Sequence, residues 1–321
     1  MFDSKVFFDL VDSKKNIIVA FSGGGDSSAL LHFCYELNQK QLLHGNLSAI
    51  HINHSLNKDS DQWEDHCKKF CEERNIPFQS HGVNINVKKS GLESAARNAR
   101  YKIFQEILQL NDQLLMAHHA DDVAETILFR LFRGTGLDGL QGPMKKRNLG
   151  EGKLLRPWLG YSKSDLIEYL LINDIKFISD ETNFEVNQDR NFIRNEVLKM
   201  ASNRWPNANI QIQQTAELVS KQKKVHDFLL HQQFGENIIG PKLHRKFLLD
   251  LEEDTCVEVI RYWIKINNVA MPNKKIIGEI LKAFIYSSPS ARTKVNWSRA
   301  DNDHKSAFLT FCDGDLILNE K

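Results

Sequence analysis

Residues 17 to 31 read Ile-Ile-Val-Ala-Phe, then Ser-Gly-Gly-Gly-Asp-Ser-Ser, then Ala-Leu-Leu. A short apolar run, a turn of three glycines and the start of a helical period fit few folds. Glycines let backbone N–H groups face inward without Cβ obstruction, Ser22 and Ser27 add hydroxyl donors, and the following helix aims its positive end at the same point. The stretch predicts a strand, a phosphate-sized cradle and a helix. No lysine follows the last glycine, so it is not the GxxxxGK[ST] loop, and it is not GxGxxG.

The pattern around this turn repeats. Strands are expected at 16–21, 47–53, 78–83 and 113–117, with helices at 27–39, 59–74 and 92–110 between them. This spacing predicts βαβ crossovers and a parallel twisted sheet with helices on both faces. Ligands of such sheets bind beyond the carboxyl ends of the strands, and polar residues cluster there: Ser22 to Ser27, Asn53 to Asn57, and His118 to Asp122. The stretch from Arg133 through the basic run Lys145-Lys146-Arg147 to Trp158 reads as loop. Further helices are expected at 162–173, 190–200 and 209–232. Residues 247–251, helices at 255–266 and 274–284, and strand-like runs at 292–296 and 308–319 form a small C-terminal α+β domain. The expected organisation is one domain over 1–205, a helical linker over 206–235 and a second domain over 236–321.

With 41% hydrophobic and 26% charged residues in 321, the chain can bury a sizeable core. No apolar run approaches the roughly 18 residues of a membrane span, and the start lacks a basic region before an apolar core, so a cytoplasmic location and no membrane partner are expected. Five scattered cysteines make a disulfide framework improbable. Cys67 and Cys71 lie four apart and not as CxxC. From residue 201 onward there are 17 basic against 14 acidic residues, a balance that permits nucleic-acid binding without requiring it.

His118-His119-Ala120-Asp121-Asp122-Val123-Ala124-Glu125 places three carboxylates on adjoining faces of a helix's first turns. Each aspartate alone reads better as a cap, but the concentration on the rim of the glycine turn points to chemistry. Carboxylates suit Mg²⁺ on bound phosphates, with Asp26 and one of Asp121 or Asp122 as ligands, and Asp26 with Asp121 is the preferred pair. Zinc would favour cysteines, and none is near in sequence.

SGGGDS at 22–27 resembles the SGGxDS signature of the N-type ATP pyrophosphatases (PP-loop, adenine nucleotide alpha hydrolase-like fold). With HINH at 51–54, Ala96-Arg97-Asn98-Ala99-Arg100-Tyr101, the His118 to Thr126 stretch, Arg133 to Leu140, Arg156-Pro157 and Asp189 to Asn195, the order resembles the tRNA(Ile)-lysidine synthetases over about residues 16–200. Ser55, Asn57 and Val123 depart from the family pattern. The resemblance implies that Ser22, Gly23, Gly24, Gly25, Asp26 and Ser27 hold ATP, which adenylates the 2-carbonyl oxygen of the wobble cytidine in a CAU-anticodon tRNA(Ile). The side-chain amine of free L-lysine then displaces AMP. Asp26, Arg97, Arg100, His118, Asp122, Glu125, Arg190 and Arg194 are the catalytic candidates that this implies.

The chemistry sets demands of its own. Deprotonating a lysine amine at neutral pH costs roughly 4 to 5 kcal/mol, so a base is expected, with His118, His119 and Glu125 as candidates. Charge at the α-phosphate calls for arginine, supplied by one member each of the Arg97/Arg100 and Arg190/Arg194 pairs. Lys145-Lys146-Arg147, Lys221 with Lys223-Lys224, Lys242 with His244-Arg245-Lys246, and Arg292 with Lys294, Trp297 and Arg299 are candidate tRNA-backbone contacts. A tRNA thiolase of the same class and a non-catalytic RNA-binding relative are the alternatives, and a homodimer is a possible assembly.

Overall fold

A computed structural model describes residues 2–54, 60–83, 92–178, 189–298 and 305–320. Ser55 and Asn57, and Arg299 of the last basic cluster, lie outside the described residues. The chain divides into two compact units, Met1–Ser220 and Lys221–Lys321.

In the first unit the elements are α1 (Ser4–Phe8), β1 (Ile17–Ala20), α2 (Gly25–Gln39), β2 (Leu47–Asn53), α3 (Ser60–Glu72), β3 (Phe78–Gly82), α4 (Leu92–Ile107), β4 (Gln113–Leu115), α5 (Ala120–Phe132), α6 (Leu137–Leu140), β5 (Lys146–Leu149), β6 (Gly152–Leu155), α7 (Lys163–Ile172), α8 (Asp189–Phe192) and α9 (Lys199–Arg204). A π-helical segment, Ile193–Leu198, joins α8 to α9, so residues 189–204 form one helical run. Helix α10 (Ala208–Phe234) begins in this unit.

The sheet order is β3-β2-β1-β4-β6-β5. The first five strands pair in parallel and β5 runs antiparallel to β6. Because side chains alternate across a strand, Ile17, Val19, Leu115 and Leu155 face one layer with residues of α1, α2, α3 and α7. Ile18, Ala20, Leu114 and Leu154 face the other, with Tyr101 and Phe104 of α4. The expected parallel sheet with helices on both faces is present, and β1 at its centre carries the glycine turn at its carboxyl end.

One expectation is corrected. The region from Arg133 to Trp158, read as loop, contains the β5–β6 hairpin, and β6 extends the parallel sheet beyond β4. Each strand has four residues, too few for a period to show, and β5 opens on charged residues. Its existence is set by pairing with β4, a long-range contact that local pattern does not record.

The second unit holds β7 (Lys242–His244), α11 (Arg245–Leu249), α12 (Glu253–Ile266), α13 (Lys274–Ile280), β8 (Val295–Trp297), β9 (Ala307–Cys312) and β10 (Asp315–Glu320). Its antiparallel sheet has the order β7-β10-β9-β8. The run read as one strand over 308–319 is a hairpin, turned by Asp313 and Gly314, both at positive φ. Its core gathers Val259, Ile260, Trp263, Phe284 and Leu309.

Candidate active site

The cradle forms where β1 ends. Gly23 has φ +81°, and a Cβ there would lie 3.0 Å from both the Cys67 Sγ and the Ile178 Cδ1, so backbone conformation and space both require glycine. The Ile178 N–H donates to the Gly23 carbonyl at 2.9 Å, which fixes the turn from the far side. Ser22 and Ser27 hydroxyls lie 3.0 Å apart, and the Ser27 hydroxyl donates to the Gly24 carbonyl at 3.0 Å. Gly24, the cap of the 15-residue helix α2, supplies no side-chain cap. The first N–H groups of α2 therefore form an anion-binding end of the kind a phosphate occupies.

Across the rim, β4 leads into α5, and His119 stands at its start. His119 is 3% exposed. Its Nε2 lies 3.4 Å from the Asp26 Oδ2 and 3.5 Å from the Asp122 Oδ2, while its Nδ1 lies 3.5 Å from the Asp121 Oδ2. Burial opposes the imidazolium, but Asp122, Asp121 and Asp26 together outweigh it and push the His119 pKa up to about 10. Burial likewise opposes the Asp26 carboxylate, yet His119, Lys163 and Arg194 bring it below the usual range. One buried cation thus ties the glycine turn to the acidic helix start.

The three carboxylates have different surroundings. Asp122 accepts from the His119 backbone N–H at 3.1 Å, closing the first turn of α5. Asp121 accepts from the Lys163 N–H at 2.8 Å and from the Asn209 Nδ2 at 2.5 Å, joining α5 to α7 and α10. Asp26 is the most exposed of the three. Among the described residues no group of three or more His, Cys, Asp or Glu is placed to hold a metal ion alone. Magnesium commonly takes one or two carboxylates together with phosphate oxygens, so the donor set fits an ion carried on a bound nucleotide. Asp26 is the carboxylate beside the cradle, and Asp121 would add the lone pairs that its two hydrogen bonds leave.

One turn along α5, Glu125 is buried, and its Oε2 accepts from Arg194 Nε at 2.9 Å and contacts the Arg194 NH2 at 2.6 Å. The Arg190 Nε is 4.0 Å from the Glu125 Oε1, and the Arg194 NH2 is 3.8 Å from the Asp122 Oδ1. Burial raises the Glu125 pKa, and the repulsion of Asp122 adds to it, against the pull of Arg194. The arginines come from the helical run whose π segment contains Arg194, a local widening that often accompanies functional sites.

A second group of arginines gathers on an aromatic ring. The Arg97 guanidinium lies 4.7 Å and that of Arg147 4.8 Å from the centroid of Tyr101. Arg156, 4% exposed, donates from Nε to the His118 Nδ1 at 3.2 Å, from NH1 to the Met144 carbonyl at 2.8 Å and from NH2 to the Tyr101 hydroxyl at 3.1 Å. Burial, then Arg156, Arg100 and Arg97, hold the His118 pKa well below that of a free imidazole. Sequence reasoning missed Tyr101, Arg147 and Arg156 as members of this cluster. A signal exists for Arg156, a lone cation between Leu154-Leu155 and Trp158.

Other residues of the motifs brace the frame. His51 is buried, with Nδ1 2.9 Å from the Phe21 carbonyl, and Asn53 donates to Glu64 at 2.8 Å. Several basic residues singled out for RNA contact are engaged locally. Arg245 donates to the carbonyls of Phe284, Ile285 and Ser287, Lys223 is buried beside Glu258, and Lys294 lies over the Phe308 ring. Among the described residues no helix is long and apolar enough to cross a membrane.

Comparison with known proteins agrees with this geometry. The PP-loop domain model matches residues 3–201. The chain is 34% identical over 287 residues to the tRNA(Ile)-lysidine synthase of Legionella pneumophila (strain Lens), a match covering 89% of this chain and 65% of that protein. It is 32% identical over 303 residues to the tRNA(Ile)-lysidine synthase of Photorhabdus laumondii, covering 93% and 69%. The chain spans about two thirds, 61 to 65%, of the length of several curated relatives it matches. Among solved structures it is similar to the U34-tRNA thiolase NcsA of Methanococcus maripaludis, described with its 4Fe-4S cluster, at TM-score 0.56 and 18% identity over 68% of this chain and 78% of that one. At that identity the likeness concerns the fold. A glycine cradle at a central strand end, faced by an acidic helix start and matched along residues 3–201, places the chain in the PP-loop family and, within it, among the tRNA(Ile)-lysidine synthases.

Proposed function

We propose that the chain is an ATP-dependent ligase that joins free L-lysine to the wobble cytidine of a CAU-anticodon tRNA(Ile), releasing AMP and pyrophosphate. The observation that carries this reading is the His119-centred junction, which sets the carboxylates of α5 directly against the phosphate cradle. The likeness to relatives named tRNA(Ile)-lysidine synthase supports the substrate assignment.

In this reading the Gly23 to Ser27 backbone and the start of α2 hold the pyrophosphate of ATP, leaving the α-phosphate open to the cytidine 2-oxygen. Magnesium, held by Asp26 with Asp121, would neutralise charge on the phosphate oxygens. Arg97 and Arg100 on α4, and Arg190 and Arg194 facing α5, are the proposed cations for charge that develops during adenylyl transfer. Asp122 and Glu125 receive the lysine ammonium, with Arg194 balancing their charge before the substrate arrives. The basic second unit is the proposed tRNA-recognition part. A cytoplasmic enzyme, with a homodimer as one possible assembly, completes the reading.

Sulfur transfer is disfavoured by the cysteines. Cys34, Cys67, Cys71 and Cys256 are buried, and burial raises the Cys71 thiol to about 12, far from the reactive thiolate range. The test is incubation with ATP, lysine and unmodified CAU-anticodon tRNA, followed by mass analysis of the tRNA. A gain of one lysine less water, with AMP and pyrophosphate, is the expected result. ADP as product, or a mass change of oxygen replaced by sulfur, would overturn the reading.

A further inference from the structure

His118 is half-buried and stands one residue before the His119 junction. Its Nδ1 lies 3.2 Å from the Arg156 Nε. A guanidinium has only donors and stays protonated at any pH a protein survives. The atom facing it must therefore present a lone pair. A neutral imidazole that accepts at Nδ1 carries its proton on Nε2, and a flipped ring would set a C–H against the guanidinium N–H.

Arg156 cannot swing away to release this constraint. Its other two nitrogens donate to the Met144 carbonyl and the Tyr101 hydroxyl, and its backbone N–H donates to the Lys145 carbonyl at 2.8 Å. The Arg97 and Arg147 guanidinium groups both lie over the Tyr101 ring. The charged groups that face His118 are Arg156 beyond the end of β6, Arg97 and Arg100 of α4, and the adjoining His119. All are cations, so a second proton on His118 is opposed from each side.

We propose that Arg156 is a positioning residue that fixes His118 as its neutral Nε2–H tautomer, so that His118 serves the reaction as a hydrogen-bond donor and not as its base. The donor role rests on the lysine-transfer reading; the tautomer does not. His119 is enclosed by the carboxylates of Asp26, Asp121 and Asp122. Of the three candidate bases, His119 and Glu125 then remain to take the proton of the incoming amine.

The tautomer is read by ¹⁵N NMR of the histidine-labelled full chain without substrates, with the His118 signals assigned by their loss in His118→Gln. The expected spectrum has an unprotonated Nδ1 and a protonated Nε2, unchanged across the pH range in which a free imidazole titrates. A protonated Nδ1, or an imidazolium within that range, would overturn the proposal. In Arg156→Lys the short ammonium donor should restore the same tautomer, whereas Arg156→Met should let both tautomers appear. A wild-type pattern in Arg156→Met refutes the role of Arg156. Should that variant not fold, the wild-type spectrum still decides the tautomer. For the donor role, a glutamine amide can stand in for Nε2–H and an asparagine amide reaches only the Nδ1 position. His118→Gln should retain about tenfold more lysine transfer than His118→Asn. Equal loss refutes the donor role, while absence of lysine transfer in the wild-type chain would refute the functional reading and leave the NMR result standing.

Discussion

Both units contain a buried cation surrounded by carboxylates, and the two clusters are built in opposite ways. In the first unit His119 is buried while the side chains of Asp26, Asp121 and Asp122 remain 27 to 37% exposed. In the second, Lys223 on α10 is buried with its i,i+4 neighbour Asp227, reaches Glu258 of α12 at 3.1 Å, and Lys265 closes on Asp227 from the same helix as Glu258. The second cluster is satisfied by one helix neighbour and two helix-to-helix contacts, Lys223 with Glu258 and Asp227 with Lys265, and it fastens α10 to α12. The first adds to the local pairs of His119 with Asp121 and Asp122 a contact across 93 positions, Asp26 against His119, and leaves carboxylate edges open at the strand ends. Glu258 is 37% exposed, as Asp26 is, so exposure of a carboxylate alone does not separate the two. A network that presents its oxygen atoms beside a phosphate cradle keeps capacity for a cationic ligand there.

The comparison breaks most readily at Asp26. Asp26→Asn keeps the shape and removes the charge, and should lower AMP and pyrophosphate formation by about 100- to 1,000-fold, with a smaller loss of stability than the removal of His119. Retained activity would reduce the junction to a packing device like that of the second unit. His119→Ala removes the shared cation and leaves three carboxylates facing one another. A cost of about 3 to 5 kcal/mol is expected, read by urea unfolding. The same linkage sets a pH dependence. The His119 pKa is raised from 6.5 to about 10, so its stabilisation is fully present below pH 6.5 and is lost as the pH rises toward 10. Asp26 and Asp121, held below 3.8, act in the other direction. Their contribution is present above that value and disappears as the pH falls through their lowered pKa values. Wild-type stability should therefore fall on the alkaline side, and His119→Gln should flatten that limb. An unchanged limb in His119→Gln would assign it to other groups.

How much of this was legible in the chain follows from which contacts are local. The glycine turn, the α5 start and the parallel strands through β4 are short-range patterns, and each stands within a few residues of where period and capping place it. The β5–β6 hairpin is not of that kind, and Arg156, named in sequence only within a motif, owes its contacts to it. Its four-residue strands and the Arg156–His118 contact exist only because β6 lies beside β4 in the folded sheet. Similarly, runs of cations look alike in sequence whether they face solvent, as a tRNA contact requires, or turn inward. Arg245 reaches backbone carbonyls, and Lys223 lies beside Glu258, because partners about 35 to 40 residues away supply the acceptors.

Two further substitutions test whether burial, and not the number of charges, separates these networks. Lys223→Met keeps the aliphatic stem and strips Asp227 and Glu258 of one partner, while Lys265 still pairs with Asp227. A loss of about 1 to 3 kcal/mol is expected from the stranded groups. Lys145 offers the control. Its Nζ sits 3.3 Å from both Glu217 oxygens, as close as many contacts in the buried clusters, but the two side chains are 54% and 34% exposed. Water screens the pair and both long side chains lose rotamer freedom in making it, so Lys145→Ala should change stability by no more than about 1 kcal/mol, and added salt should shrink the difference further. A loss as large as that of Lys223→Met would show that distance alone sets the energies, and the contrast between an open junction and a closed brace would then have to rest on activity measurements at Asp26.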